Sequence, residues 1–182
     1  DEVRIAEQFK PDPVWREALQ FAGIGLYRYG FDGTILAIDQ RAFEFFELHK
    51  HYAHPEDIIG KSIAEIVVYL QPVGAVRQRL RQHGGLHNEE FHFKTLAGTD
   101  KWALEDCYLV RDKATAQEAV QVIIQDITER KRGLEALRYR GEFERLITSI
   151  STTFINLPLS QIDSAINDAL RALGQFTSAD RS

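Results

Sequence analysis

Asp126-Ile127-Thr128-Glu129-Arg130-Lys131 stands where an alternating apolar run, Val120 to Gln125, gives way to a long stretch with helical patterning. Alternation reads as a β-strand and the spacing after it as an α-helix. Asp126 is placed to accept from amides exposed in the first helical turn, and Glu129, three residues on, to reach back as in a capping box. Both carboxylates suit the positive end of the helix dipole. Ile127 is the residue that seats the helix against the sheet, and Thr128 and Arg130 complete the joint. A change in the strand would pass through it into the helix.

Upstream, the chain reads as strands at both ends with helices between them. Ile24 to Tyr29 alternates, Phe31-Asp32-Gly33-Thr34 is a turn with Asp-Gly as its hairpin signal, and Ile35 to Ile38 returns. Asp39 caps a helix carrying Phe43, Phe46 and Leu48; a polar loop runs from His49 to Pro55, and a helical turn follows to Gly60. An apolar run spans Ile63 to Leu70, and a helix is expected from Pro72 to Gln82, stopped by Gly84-Gly85. Three strands then close the domain: Glu89 to Leu96, with Phe91 and Phe93 on one face; Trp102 to Val110, after the turn Ala97-Gly98-Thr99-Asp100; and Val120 to Gln125. Arg111 to Glu118 is a polar connection. At the start, Asp1 to Lys10 reads as helical and Pro11-Asp12-Pro13 interrupts it, with Asp12 as the cap of the next helix. The expected fold is α+β: a five-stranded antiparallel sheet with helices on one face and a long C-terminal connector helix.

The hexapeptide at 126–131 closely resembles the terminal signature of PAS domains. Phe21-Ala22-Gly23-Ile24-Gly25-Leu26-Tyr27 with Phe31-Asp32-Gly33 is similar to their first two strands. Ile59-Gly60-Lys61-Ser62 resembles their central segment, and Ala97-Gly98-Thr99-Asp100-Lys101-Trp102 with Val110-Arg111-Asp112 their last hairpins. The resemblance implies a PAS domain over residues 12–128, preceded by an N-terminal segment, 1–11. It implies a sensory or regulatory input module of a bacterial signalling protein, detecting a small molecule or partner and passing the result to a histidine kinase or cyclic-di-GMP enzyme. A ligand-free module serving structural dimerisation is the other reading.

Residues 129–157 form the connector. Phe143, Ile147, Ile150, Phe154 and Leu157 are spaced 4, 3, 4, 3, the seam of a parallel two-stranded coiled coil, and Leu134 and Leu137 form an earlier seam. The phase changes between them, near Gly141. A homodimer through this helix is expected; the competing reading is an amphipathic helix packed on its own chain. Leu157-Pro158-Leu159-Ser160 breaks the helix, and Ser160 with Asp163 is expected to cap another that stops at Gly174. Residues 158–182 resemble the opening of a GAF domain. Its helix should dock on the connector or on a partner chain, because alone it leaves an apolar face uncovered.

The family's cavity lies between sheet and helices, and the residues expected to line it are Phe43, Ile66, Leu80, Phe91, Phe93, Leu104, Val122 and Ile124. Close packing of the same residues is the bland alternative. Haem is not expected: His83 reads as a helix C-terminal residue complementing the dipole. Flavin photochemistry is not expected either, since Cys107 is in no Asn-Cys-Arg motif and reads as a small buried hydrophobe. No cofactor is identified. His49, His51 and His54, with Glu47 and Asp57 nearby, are a candidate metal cluster, outweighed by a solvated loop. No nucleophile motif or phosphate-binding loop is present, so catalysis within this chain is not expected. The 182 residues carry a net charge of −5, which disfavours nucleic acid and anionic lipid as partners. The longest apolar runs are too short for a membrane span. One cysteine excludes an internal disulfide, and a cytoplasmic setting is expected. The lack of methionine, even at position 1, reads as an excised piece of a longer protein.

Overall fold

The computed structural model describes residues 17–19, 21–71, 74–111, 117–155 and 157–179. The expected helix over Asp1 to Lys10, the cap at Asp12, the helix start at Pro72, most of the Arg111–Glu118 connection and the last residues fall outside these.

Two compact units divide at Glu129/Arg130. The first is built on an antiparallel sheet of strands β1 (Ile24–Gly30), β2 (Ile35–Ile38), β3 (Val67–Tyr69), β4 (Gly85–Thr95), β5 (Asp100–Arg111) and β6 (Glu118–Asp126), in the order β2-β1-β6-β5-β4-β3. The sheet has six strands rather than the expected five. The extra one, β3, is the end of the apolar run Ile63–Leu70, which splits into a helical turn, α2 (Ile63–Ile66), and an edge strand pairing Val67 with Thr95 and Tyr69 with Phe93. Ser62 and Glu65 cap α2 reciprocally, the Ser62 amide donating to Glu65 Oε1 at 3.0 Å. That cap spends the helical signal within one turn and leaves Val67 to pair.

Asp32 builds the first hairpin, its carboxylate accepting from the Thr34 amide and hydroxyl at 2.9 Å each. Gly33 takes φ +95, where a side chain is strained. Asp39 Oδ1 accepts from the Ala42 amide at 2.7 Å and starts α1 (Gln40–Phe45). α1 sits tight against β1 at Ala42: a Cβ at Gly25 would lie 2.8 Å from the Ala42 backbone nitrogen. The helix α3 (Gly74–His83) ends with His83 in its last turn, and the Gly84 amide donates to the Leu80 carbonyl at 2.8 Å.

One face of the sheet carries the core. Tyr27, Val120, Val122, Ile124, Ala103, Cys107, Phe91 and Phe93 meet Phe43, Phe45 and Phe46 from α1 and its end, Leu48, Ile58, Ile66, and Leu80 from α3. Phe46 stands edge-on to Tyr27 at 5.5 Å between centroids, and Phe93 edge-on to Phe45 at 5.6 Å. Such pairs add about 0.5–1.5 kcal/mol each beyond their buried area, so they fix how α1 meets the sheet.

The second unit pairs two helices, α4 (Thr128–Ile155, continuing from the first unit) and α5 (Ile162–Ala179). Phe176 of α5 lies against Tyr139 and Phe143 of α4, with ring centroids 4.9 and 5.8 Å away. This corrects the expected stop at Gly174, which lies inside α5. The apolar stripe continues through Leu173 to Phe176, and its packing outweighs the roughly 1 kcal/mol that a helical glycine costs. Ser160 also falls not at a cap but in the 3-10 turn Leu159–Gln161 that precedes α5.

Candidate functional site

Seven of the eight residues expected to line a cavity lie in the buried core: Phe43, Ile66, Leu80, Phe91, Phe93, Val122 and Ile124. Leu104 does not. Side chains on β5 alternate, and Ala103, Glu105 and Cys107 are the buried set, so Leu104 shares the opposite face with Trp102 and Asp106. There His92 stacks on Trp102 at 4.3 Å with planes 3° apart.

The correct phase of β5 puts a carboxyl into the core. Glu105 is 4% exposed. Its Oε1 accepts from the Tyr27 hydroxyl at 3.1 Å, and the Cys107 thiol lies 4.0 Å from Oε2. Burial pushes its carboxyl up to about 8, against the opposing effect of the Tyr27 hydrogen bond. Near neutral pH the group is therefore mostly in its acid form. Burial also pushes up the Tyr27, Tyr29 and Tyr69 hydroxyls and the Cys107 thiol, with Glu105 adding to each shift, so all four stay protonated across the physiological range.

A cavity of about 70 Å³ opens beside this carboxyl, lined by Tyr29, Ile63, Tyr69, Val76, Arg77, Phe91, Glu105 and Cys107. It lies between the sheet and α3, where Ile63, Val76 and Phe91 supply apolar wall and Arg77 an exposed guanidinium. Of the expected lining residues only Phe91 borders it; Phe43, Ile66, Leu80, Phe93, Val122 and Ile124 pack the core around it. The signal for Glu105 was present in the sequence, since an acidic residue in phase with Ala103 and Cys107 must either be exposed with them or buried with them.

The joint at the end of β6 is the second feature. Its backbone closes on Trp102: the Ile127 amide donates to the Trp102 carbonyl at 3.0 Å, and the Trp102 amide donates to Thr128 Oγ1 at 3.0 Å. Asp126 is still in the strand, opposite Ala103, and its Oδ1 accepts from the Thr128 amide at 2.9 Å. Asp126 thus serves the first helical amide from one residue before the cap position. Its Oδ2 lies 3.4 Å from Lys101 Nζ. Ile127 and Thr128 are 4% and 5% exposed, which makes this a packed clasp rather than a loose hinge. Glu129 and Arg130 follow as the next residues of α4.

His49, His51 and His54 are exposed, and the carboxylates beside them are engaged elsewhere. Glu47 Oε2 accepts from the Thr99 and Thr95 hydroxyls at 2.8 and 3.1 Å and lies 3.1 Å from Lys50 Nζ. Partial burial opposes these contacts, but they hold its carboxyl down at about 2. Asp57 accepts from the His54 amide at 2.9 Å. Among the described residues no three metal-ligating side chains gather.

On the connector, Leu134, Leu137 and Ile147 are 58%, 68% and 39% exposed. Phe143 meets Phe176, while Ile150, Phe154 and Leu157 line a cleft of about 410 Å³ with Ala165, Ala169 and Ala172 of α5. Much of the expected seam is therefore taken by a helix of the same chain. No helix among the described residues is long and apolar enough to cross a membrane.

No protein-family model matches the chain, and no curated protein does. Solved structures do. A chain of a sensory box histidine kinase/response regulator from Burkholderia thailandensis is similar at 19% identity over 72% of this chain and 97% of its own, with a TM-score of 0.50. The PAS domain of nitrogen regulation protein NR(II) from Vibrio parahaemolyticus is similar at 11% identity over 64% and 100%, with a TM-score of 0.49. A PAS domain from Colwellia psychrerythraea is similar at 14% identity over 65% and 99%, with a TM-score of 0.46. At such identities the likeness speaks for the fold alone. With helices gathered on one face of an antiparallel sheet whose last strand runs into a long helix, the chain has a PAS-like α+β fold.

Proposed function

We propose that this chain is a sensory input module: a small molecule entering beside Glu105 shifts the sheet, and the clasp at Trp102 and Thr128 hands that shift to α4. The observation that carries the reading is the continuity of these parts on β5. Glu105 borders the cavity, Ala103 pairs with Asp126, and Trp102 holds Ile127 and Thr128, all within four consecutive positions of one strand. A strand is stiff over that distance, so displacing Glu105 loads the clasp directly.

The output is a downstream domain of a bacterial signalling protein, a histidine kinase or a cyclic-di-GMP enzyme, and residues 158–182 lead into a GAF domain. Two copies pair along the connector. Because α5 occupies part of the seam, the pairing surface is Leu134, Leu137 and Ile147 on α4, extended by Ile166 and Leu170 on α5, which are 43% and 62% exposed.

Native mass spectrometry of the chain purified from cells tests the ligand, and hydrogen exchange of the α4 amides tests the coupling. A bound small molecule whose removal changes exchange at the start of α4 supports the sensor. In Asp126→Ala the fold should persist while that response is lost. If nothing co-purifies and the α4 amides ignore every change at the cavity, the chain is instead a structural dimerisation module.

A further inference from the structure

The polar groups around the 70 Å³ cavity, Tyr29, Tyr69, Arg77, Glu105 and Cys107, can all donate a hydrogen bond, and Arg77 can only donate. Glu105 in its acid form has one O–H to give. Among the described residues its contacts are Tyr27, which donates to it, and the Cys107 sulfur at 4.0 Å, a weak partner. Buried carboxyls without a cation beside them stay neutral, and their proton then needs an acceptor. Tyr29 and Tyr69 bring two phenol groups to the lining. Arg77 brings a guanidinium; Asp32 feels its charge, but the Asp32 oxygens are taken by Thr34. The Glu105 O–H selects an acceptor oxygen inside the cavity, and a guanidinium at the exposed end selects negative charge there. A cavity of about 70 Å³ holds only a small group, so the remainder of the ligand lies at the mouth.

We propose that the cavity takes a short carboxylate bearing a second oxygen, held with its carboxylate at Arg77 and the second oxygen accepting from Glu105. This rests on the sensor reading above and names its ligand class. An anionic end placed at Glu105 would instead face a site that ionises only above about pH 8 and carries no compensating cation. The other titratable groups facing Glu105 are Tyr27 and Tyr29 on β1, Tyr69 on β3 and Cys107 on β5, and all remain neutral through that range.

Isothermal titration of the purified chain with glycolate, 3-hydroxypropanoate and 4-hydroxybutanoate tests this, with propionate and ethane-1,2-diol as counterparts lacking one end. At least one hydroxycarboxylate should saturate, and each counterpart should bind about tenfold more weakly, the cost of one hydrogen bond to a charged or buried partner. R77Q and E105M should each lose about tenfold, whereas E105Q, which keeps a donor, should bind nearly as wild type. Wild-type affinity should fall about tenfold per pH unit above pH 8, and E105Q should show no such fall. Should E105M not fold, the E105Q pH profile decides alone. If the diol binds as tightly and R77Q changes nothing, the carboxylate class is wrong while the sensor reading stands. If none of the hydroxycarboxylates binds, this proposal is overturned, and native mass spectrometry judges the sensor reading separately.

Discussion

Glu105→Gln should gain stability relative to wild type as pH rises from 5 to 8. An ordinary glutamate ionises near 4.5, whereas burial holds the native carboxyl protonated to about 8. Between those values the unfolded chain has released the proton and the native one has not, so stability falls as pH rises, by about 1.4 kcal/mol per unit. The loss stops once the native carboxyl ionises. Integrated from pH 5 to pH 8, it comes to about 3 to 4 kcal/mol. Glutamine keeps the shape and does not titrate. Any fixed cost of its buried amide is the same at every pH and cancels from the comparison. Denaturant unfolding followed by tryptophan fluorescence at pH 5, 6, 7 and 8 reads the effect as the difference between variant and wild type. If that difference changes by less than about 1 kcal/mol across the range, Glu105 is not a buried neutral acid, and the chemistry assigned to the cavity goes with it.

Thr128→Val keeps the shape but removes the acceptor for the Trp102 amide, so it should cost about 1–3 kcal/mol in unfolding experiments, with Thr128→Ser near wild type. Gly25→Ala drives a methyl to 2.8 Å from the Ala42 nitrogen, and the strain between α1 and β1 should lower stability by about 1–3 kcal/mol, seen as a lower thermal midpoint. Glu47, whose contacts hold its carboxyl down at about 2 from an ordinary 4.5, contributes stability that is present above pH 4.5 and lost as pH falls toward 2; Glu47→Gln should flatten the acid limb of the stability profile. Leu134→Asp with Leu137→Asp should turn a dimer into a monomer in analytical ultracentrifugation while the circular dichroism of the sheet unit is kept; a dimer that survives would place pairing elsewhere.

Local chemistry made much of this legible. Asp32-Gly33 announced its turn, Asp39 its helix and Gly84 a helix end, because each acts on backbone groups within a few residues. The alternation of Phe91 and Phe93 marked the buried face of β4 correctly. β3 was hidden because three residues are too few to show alternation, and its strand character comes from pairing with β4. Leu104 misled for a related reason. Both phases of β5 carry apolar residues, and the face that is buried depends on where Phe91 meets Ala103 across the ladder. Gly174 misled because glycine after an apolar repeat usually ends a helix, whereas here the rings of Tyr139 and Phe143 continue the contact past it.

The sequence by itself determined the order of every strand and helix except α2 and β3, and the joint after β6, since these follow from spacing and capping along the chain. Only the tertiary structure decided that Glu105 is buried beside Tyr27, Cys107 and a small cavity, and that α5 covers part of the connector seam. The reason is the same in both cases. A side chain's burial, and with it its charge state and its availability to a partner, depends on neighbours remote in the chain: 78 residues separate Tyr27 from Glu105.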